Sequence, residues 1–447
     1  MRNLVSAAEL AATVRLALPI SVIQLGALLM GTVDVIMLGR VSDVALASGG
    51  VGNALGLGLL VFPLGLLSGL DALASQAHGA GDVRRLGRYF QQGLVLAVIL
   101  TVPISVVMWE GRPLLQALGQ PPEIAAGAAG YLRGALFGNL AVLVYAVCQR
   151  TLQAMSIVRP AFAAMVVGNV ANLASDYALI FGKWGFPALG AAGAGWATSI
   201  SRWVMLACLL AFARRPLAPC WRRRAAGLGR RRDYATFLRI GSPVGFHISF
   251  EYWLFMAVTL MMGHLGAREA ASHQVAINMT ALAYMVAVGF AGAASTRVGN
   301  AVGRRDADGA RRAAATCLLV GTGLMLVFGA AFLLAPRLLA RLYTTDPAVI
   351  ALASTLLPIA AFFEIFDGLQ AICGGVLRGA ADTRVPALVA LVGYWALGLP
   401  LGAWLTFGAG WGPQGLWWGL TLGLLTVALL LLGRVAWRFK TEVAAIE

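Results

Sequence analysis

Twelve long apolar stretches fill the chain. They fall at roughly 10–38, 46–77, 88–110, 124–155, 160–182, 190–213, 235–263, 271–302, 313–336, 347–378, 384–407 and 412–436. Runs near 20 residues are long enough to cross a bilayer as helices. Only helices or closed barrels satisfy the backbone there. The runs are continuous rather than alternating, which selects helices over a barrel. Charged residues make up 12% of the chain and hydrophobic residues 60%, against about 25% charge in average soluble domains. A soluble fold is thereby excluded, and an all-α integral membrane protein is expected.

Net charge is +15, carried almost entirely by arginine. The arginines fall in short loops between spans, so they read as topogenic charge and not as a nucleic-acid surface. Loops after even-numbered spans hold Arg84, Arg85, Arg88, Arg159, Arg304, Arg305, Arg311, Arg312 and Arg384, and eight more arginines crowd the central stretch RRPLAPCWRRRAAGLGRRRD at 214–233. Odd loops hold fewer, partly offset by acids. The bias places even loops and both termini in the cytosol. Arg2 and Ala45–Leu46–Ala47 imitate a signal peptide, but the first apolar run is far longer than the 7–15 residues of an h-region. It reads as a retained first span. The five cysteines show no CxxC and no disulfide or metal spacing.

The chain also repeats itself. A shift of 224 residues aligns Pro19 with Pro243, Gly39 with Gly263, Ala47–Ser48 with Ala271–Ser272, Gly79 with Gly303 and Asp82 with Asp306. With two-residue slips, Pro160 answers Pro386, and Gly190 and Gly193 answer Gly412 and Gly415. This predicts an N-lobe at 1–213, an Arg-rich cytosolic linker at 214–234 and a C-lobe at 235–447. Six spans per half give both halves the same orientation, so the pseudo-twofold axis should run along the membrane normal.

Acids inside the spans are the functional suspects. A carboxylate in hydrocarbon costs several kcal/mol on the milder scales, about 2.5–3.5, and persists where it faces a wet cavity or an ion path. Asp34, Asp176, Glu251 and Asp367 lie in spans one, five, seven and ten. Asn172 and Asp176 are four apart and share a helical face. An amide oxygen and a carboxylate together suit a hard cation, and Thr198 in span six offers a hydroxyl. Neither Asp34 nor Asp176 has an acidic repeat-mate: their counterparts are Val258 and the region of Gly402. Glu364, three residues before Asp367, is a further candidate. So are Asp71 near the inner end of span two, His247 one turn before Glu251, and Tyr252, an aromatic that could meet a cationic ligand. His247, His264 and His273 lack transition-metal spacing. There is no Walker A sequence and no Ser/His/Asp arrangement, so ATP drive and hydrolytic chemistry have no support. No cofactor is expected beyond a coupling ion.

The stretches VDVIMLGRVSDVALAS, SQAHGAGD, LQAMSIVRPA, LGAAGAGWAT, STRVGNAVGRRD and LRGAADTRVPALV occur across nearly the whole chain. In this order they resemble the multidrug and toxic compound extrusion (MATE) family. Glu251 in the seventh span and the acid in FDGLQ look like its NorM-type branch. The resemblance implies twelve helices in two lobes around a V-shaped cavity. It implies efflux of organic, usually cationic, compounds in exchange for Na⁺ or H⁺. It joins Asp34, Asn172, Asp176 and Thr198 in an N-lobe cation or proton site, and brings Glu251 and Asp367 together in a C-lobe site. Two neighbouring carboxylates repel, so a proton or cation must relieve them. The expected partners are lipophilic cationic small molecules and the bilayer, with a monomer in the inner membrane and no nucleic acid. The cavity should favour cations because no intramembrane base offsets its acids. The alternatives are a lipid-linked precursor flippase of the related superfamily, a membrane enzyme and a passive channel. Acidic rather than basic intramembrane charge disfavours the flippase, and the absence of a large loop with clustered polar residues disfavours the enzyme. A channel would not carry out uphill, counter-ion-driven flux.

Overall fold

The computed structural model describes residues 6–222 and 231–440. Among them, twelve helices are long and apolar enough to cross a membrane. They are α1 (Ala7–Leu38), α2 (Asp43–Gly79), α3 (Val83–Trp109), α4 (Pro122–Ala154), α5 (Arg159–Phe181), α6 (Ala191–Trp221), α7 (Tyr234–Leu265), α8 (Ala267–Gly303), α9 (Ala307–Leu334), α10 (Pro347–Gly379), α11 (Arg384–Gly408) and α12 (Pro413–Arg438). The twelve expected spans are all present. The one marked difference in extent is at α6, where helix continues to Arg222 through Pro216 and Pro219. The first part of the Arg-rich stretch is therefore helical. Its residues 223–230, and both chain ends, lie outside the described residues.

Large apolar side chains point outward along these helices, as they must if lipid is the solvent. On α3, Val98, Ile99, Val102 and Val106 are all exposed. Small residues instead mark the helix crossings, where close backbone approach replaces a hydrophobic driving force. On α12, a Cβ at Gly423 would stand 2.9 Å from the Cα of Gly398 on α11. Beside that contact α11 widens: the amide of Leu399 reaches back five residues to the carbonyl of Tyr394. Pro400 follows, with no N–H to donate and a ring that crowds the preceding turn.

The chain forms two compact units, Ile23–Gly245 (the N unit) and Met1–Val22 with Phe246–Glu447 (the C unit). Helices α1 and α7 each pass from one unit to the other within three residues of an internal proline, Pro19 and Pro243. Inside the C unit the first part of α1 is tied down by polar contacts. Ser21 Oγ donates to the carbonyl of Val286 on α8 at 3.2 Å, and Glu9 pairs with Arg297 of the same helix. Inside the N unit the start of α7 lies backbone to backbone on α2, where a Cβ on Gly65 would meet Gly245 Cα at 2.7 Å. The pairings α2–α4, α4–α6 and α5–α6 of the N unit recur in the C unit as α8–α10, α10–α12 and α11–α12. The repeat read from the sequence is thus a repeat of packing.

The tight turns repeat as well. After α2, α4, α8 and α10 the chain closes with one residue in the left-handed region: Gly81, Ser156, Arg305 and Ala381. Each is followed by an amide that reaches back five residues, as in Asp82 to Ala77, Ile157 to Leu152, Asp306 to Ala301 and Asp382 to Leu377. This is the Schellman ending, which satisfies carbonyls that a helix end would otherwise leave bare.

Candidate functional site

In the N unit, α4 and α6 cross at glycines. A Cβ at Gly134 would lie 2.7 Å from the amide nitrogen of Trp196, and Gly195 packs on the carbonyl of Tyr131. That contact sets Tyr131 and Thr198, each within a turn of it, beside the C-terminal part of α1. There Asp34 is buried. Asn172 Nδ2 donates to Asp34 Oδ1 at 3.2 Å, and Thr198 Oγ1 donates to Asp34 Oδ2 at 3.1 Å. Asp176, one turn along α5 from Asn172, is fully buried beside Asp34. Neither of its carboxylate oxygens has a hydrogen-bond donor. The four residues named from the sequence therefore form one buried cluster of polar side chains, drawn from α1, α5 and α6.

Two neighbours of this site escaped the sequence reading. Tyr131 on α4 donates its hydroxyl to Asn53 Oδ1 on α2 at 3.2 Å and stands in the field of both carboxylates. Arg202 on α6, one turn past Thr198, interacts through space with Asp34. Its Nη1 donates to Asn139 Oδ1 at 3.4 Å. The expectation that arginines sit only in loops, with no base offsetting the buried acids, is corrected here. Arg202 lies well inside α6, half-buried, with the amide of Asn139 as its hydrogen-bond partner. Arg150 in α4 corrects it again, pairing with the buried Asp71 at 2.8 Å. A lone arginine inside an apolar run was the available signal.

In the C unit, Glu251 on α7 and Asp367 on α10 are buried and act on each other electrostatically. Gln370 Nε2 donates to Asp367 Oδ1 at 3.2 Å. The Gln370 and Tyr284 side chains both lie close to Glu251. Tyr394, from the widened turn of α11, brings a buried hydroxyl into the field of both acids. Tyr284, Gln370 and Tyr394 were missed because a lone tyrosine or glutamine in a span carries no distinctive pattern. His247 Nε2 stands 3.9 Å from Glu251 Oε2. Glu364 is fully buried, and neither of its carboxylate oxygens has a donor. It lies within electrostatic reach of Asp367. Tyr252 packs edge-on against Trp253, ring centroids 5.8 Å apart.

Each unit thus holds a closely set group of carboxylates with amide and hydroxyl partners inside a membrane-spanning helical scaffold. Buried polar groups on a twelve-span helical scaffold place the chain in the class of multi-pass membrane transporters. The chain belongs to the MatE family, whose model matches residues 19–178 and 243–404, one match in each half. It is 38% identical to a probable multidrug resistance protein NorM of Mesorhizobium japonicum, covering 98% of this chain and 95% of the relative. It is 35% identical to the multidrug resistance protein NorM of Burkholderia vietnamiensis, covering 97% and 94%. Its fold matches the crystal structure of the eukaryotic MATE transporter AtDTX14 with a TM-score of 0.88 at 25% identity, covering 96% of each chain. An outward-facing MATE transporter of the MOP superfamily matches with a TM-score of 0.84 at 20% identity, covering 97% of this chain and 96% of the other. The family resemblance carried by the sequence motifs is therefore confirmed, and the protein is a multi-pass membrane transporter.

Proposed function

We propose that this transporter exports lipophilic organic cations, including drugs, in exchange for Na⁺ or H⁺ moving inward. The observation that carries the reading is the Asp34–Asp176 pair, two buried carboxyls side by side with oxygen-bearing neighbours and no donor on Asp176. Two such groups are stable together only when a proton or cation relieves their repulsion. The names of the relatives add multidrug export. Glu251 and Asp367 form a second, inequivalent coupling site in the C unit. Both sites favour cationic cargo because acids outnumber bases in each.

We place the protein in the inner membrane with both termini and the Arg-rich central stretch in the cytosol, where loop arginines accumulate. A monomeric working unit is part of the same proposal. Transport needs no resident cofactor in this reading.

Purified transporter in liposomes tests it. A Na⁺ gradient and a pH gradient are imposed separately, with a fluorescent lipophilic cation inside the exporting compartment. Uphill movement under at least one gradient is expected. Movement only down the dye's own gradient, or of anionic compounds alone, would refute it.

A further inference from the structure

The helix that carries Asp34 does not belong to one unit. Asp34 lies in the N unit, but the first turns of α1, up to Val22, pack in the C unit. Between them stands Pro19, which has no amide proton to give and weakens the helix ladder there. The stretch from Glu9 to Asp34 is about 37 Å of helix at about 1.5 Å per residue.

Glu9 fixes the near end of this arm. Its carboxylate pairs with Arg297 of α8, and its Oε1 stands 3.7 Å from Arg312 Nε of α9. Arg297 also donates to Thr13 Oγ1 and, at 3.3 Å, to the backbone carbonyl of Glu9. Thr13 is fully buried, and its hydroxyl donates to that same carbonyl at 2.9 Å. Two turns further on, Ser21 lies against Gly289 of α8, where a Cβ would stand 2.6 Å from the Ser21 amide nitrogen. Both side chains of the Glu9–Arg297 pair are mostly buried, so losing either one strands a charge.

The close docking is repeated in the other half, and the arginine is not. Under the 224-residue shift Ser21 answers Gly245 and Gly289 answers Gly65, and those two also meet backbone to backbone in the N unit. Arg297 answers Leu73. The arginine is thus an addition at the arm of α1, the helix whose far end holds an acid with no acidic repeat-mate. A cation at Asp34 can act on the C unit only through an element joined firmly to it. A helix held at its far end is such an element.

We propose that Glu9 and Arg297 anchor the first turns of α1 on the C unit throughout the cycle, so that a cation at Asp34 acts on both units through one helix. Both are positioning residues for coupling. The inference rests on reading Asp34 as a coupling acid.

Purified transporter in proteoliposomes tests it, with two readings of a lipophilic cationic dye. One is the steady dye gradient that an imposed ion gradient sustains; the other is the initial flux down the dye's own gradient. The driving ion is whichever powers the wild type. Glu9→Gln and Arg297→Gln should each lower the sustained gradient about tenfold, within the usual range of coupling between two sites, and leave downhill flux near wild type. Dye binding to either variant should keep its wild-type dependence on the ion, because Asp34 and its partners are untouched. The sharpest variant is Glu9→Cys with Arg297→Cys, in a background where the five native cysteines are alanine. It should behave like Glu9→Gln, and a short bifunctional thiol reagent joining the two positions should restore the sustained gradient. Restoration by a neutral tether separates anchoring from charge. Wild-type gradients in both Gln variants, loss of the ion dependence of dye binding in them, no restoration by the tether, or a block of all flux by it overturns the inference. If instead Asp34→Asn sustains the wild-type gradient, the coupling reading of Asp34 beneath it fails.

Discussion

The hydroxyl of Thr198 lies 3.1 Å from Asp34 Oδ2 and 3.0 Å from the carbonyl oxygen of Ala194. It has one proton and two acceptors. The proton can face Asp34 when that carboxylate is charged and bare. When a cation occupies Asp34, the proton can turn back to Ala194 and leave lone pairs for the ion. Thr198→Ser keeps this choice and should keep coupled export. Thr198→Val keeps the shape and removes both donor and ligand. We expect it to weaken cation dependence about tenfold, the effect of roughly 1.4 kcal/mol, in a titration of dye affinity against Na⁺ and against pH. Equal behaviour of the Ser and Val variants would show that the hydroxyl only packs.

The C unit supplies the second test of coupling. Glu251→Gln and Asp367→Asn retain volume and hydrogen-bonding capacity and remove the charge a cation needs. Both should insert and purify like wild type and lose gradient-driven dye export. Gln370→Leu should be milder, because it removes a donor from Asp367 without removing either charge. Wild-type rates in both acid variants would eliminate this site.

Asp71 separates structure from function differently. It is buried and paired with Arg150 at 2.8 Å. Removing one partner of such a pair strands a charge and costs about 3–5 kcal/mol, whereas replacing both can be nearly neutral. Arg150→Gln should therefore lower the melting temperature sharply in detergent. The double change Asp71→Asn with Arg150→Gln should recover most of the loss. If the double variant is stable yet fails to transport, the pair serves the cycle and not merely the fold.

The repeat makes a prediction of its own. Asp82 and Asp306 lie 224 residues apart, and each caps the start of a membrane helix. Asp82 Oδ1 accepts from the Arg85 amide at 2.9 Å, and Asp306 Oδ1 from the Gly309 amide at 2.7 Å. Asp→Ala at either position should cost about 1 kcal/mol and Asp→Asn much less, read as shifts in thermal unfolding. A cost confined to one of the two would show that the repeat no longer shares its capping.

These caps indicate what was legible beforehand. Hydropathy alone located all twelve helices, because only helices or closed barrels carry a backbone through lipid and these runs do not alternate. The 224-residue shift identified equivalent turns, because a Schellman ending followed by a capping Asp is a local pattern of few residues. The acids stood out because burial makes them costly. Their partners did not. Tyr131, Tyr284 and Gln370 are ordinary in composition, and only the crossing of α4 with α6, or of α8 with α10, brings them to the acids. Arg202 was overlooked because arginine near a membrane was read as topogenic charge; its place inside the helices depends on Gly138 leaving space for its arm. The helicity of 214–222 was missed because the crowded arginines made the stretch read as a linker.

The last prediction concerns linkage through Asp34. A ligand shifts a conformational equilibrium only by its differential affinity for the two states. If cation binding at Asp34 drives drug release, drug and cation must weaken each other by the same factor. Protons and Na⁺ seek the same carboxylates, so lowering pH should weaken apparent Na⁺ affinity as well as drug affinity. Dye binding to purified wild type should therefore fall as Na⁺ rises or as pH falls, and Na⁺ binding should fall equally as dye is added. Asn172→Ala removes one hydrogen bond to Asp34 and should reduce the mutual effect. Asp34→Asn removes the charge and should abolish the N-unit share of it, leaving the dependence on Glu251 and Asp367. A dye titration in which Asp34→Asn retains the full wild-type dependence on both Na⁺ and pH would make Asp34 a structural acid.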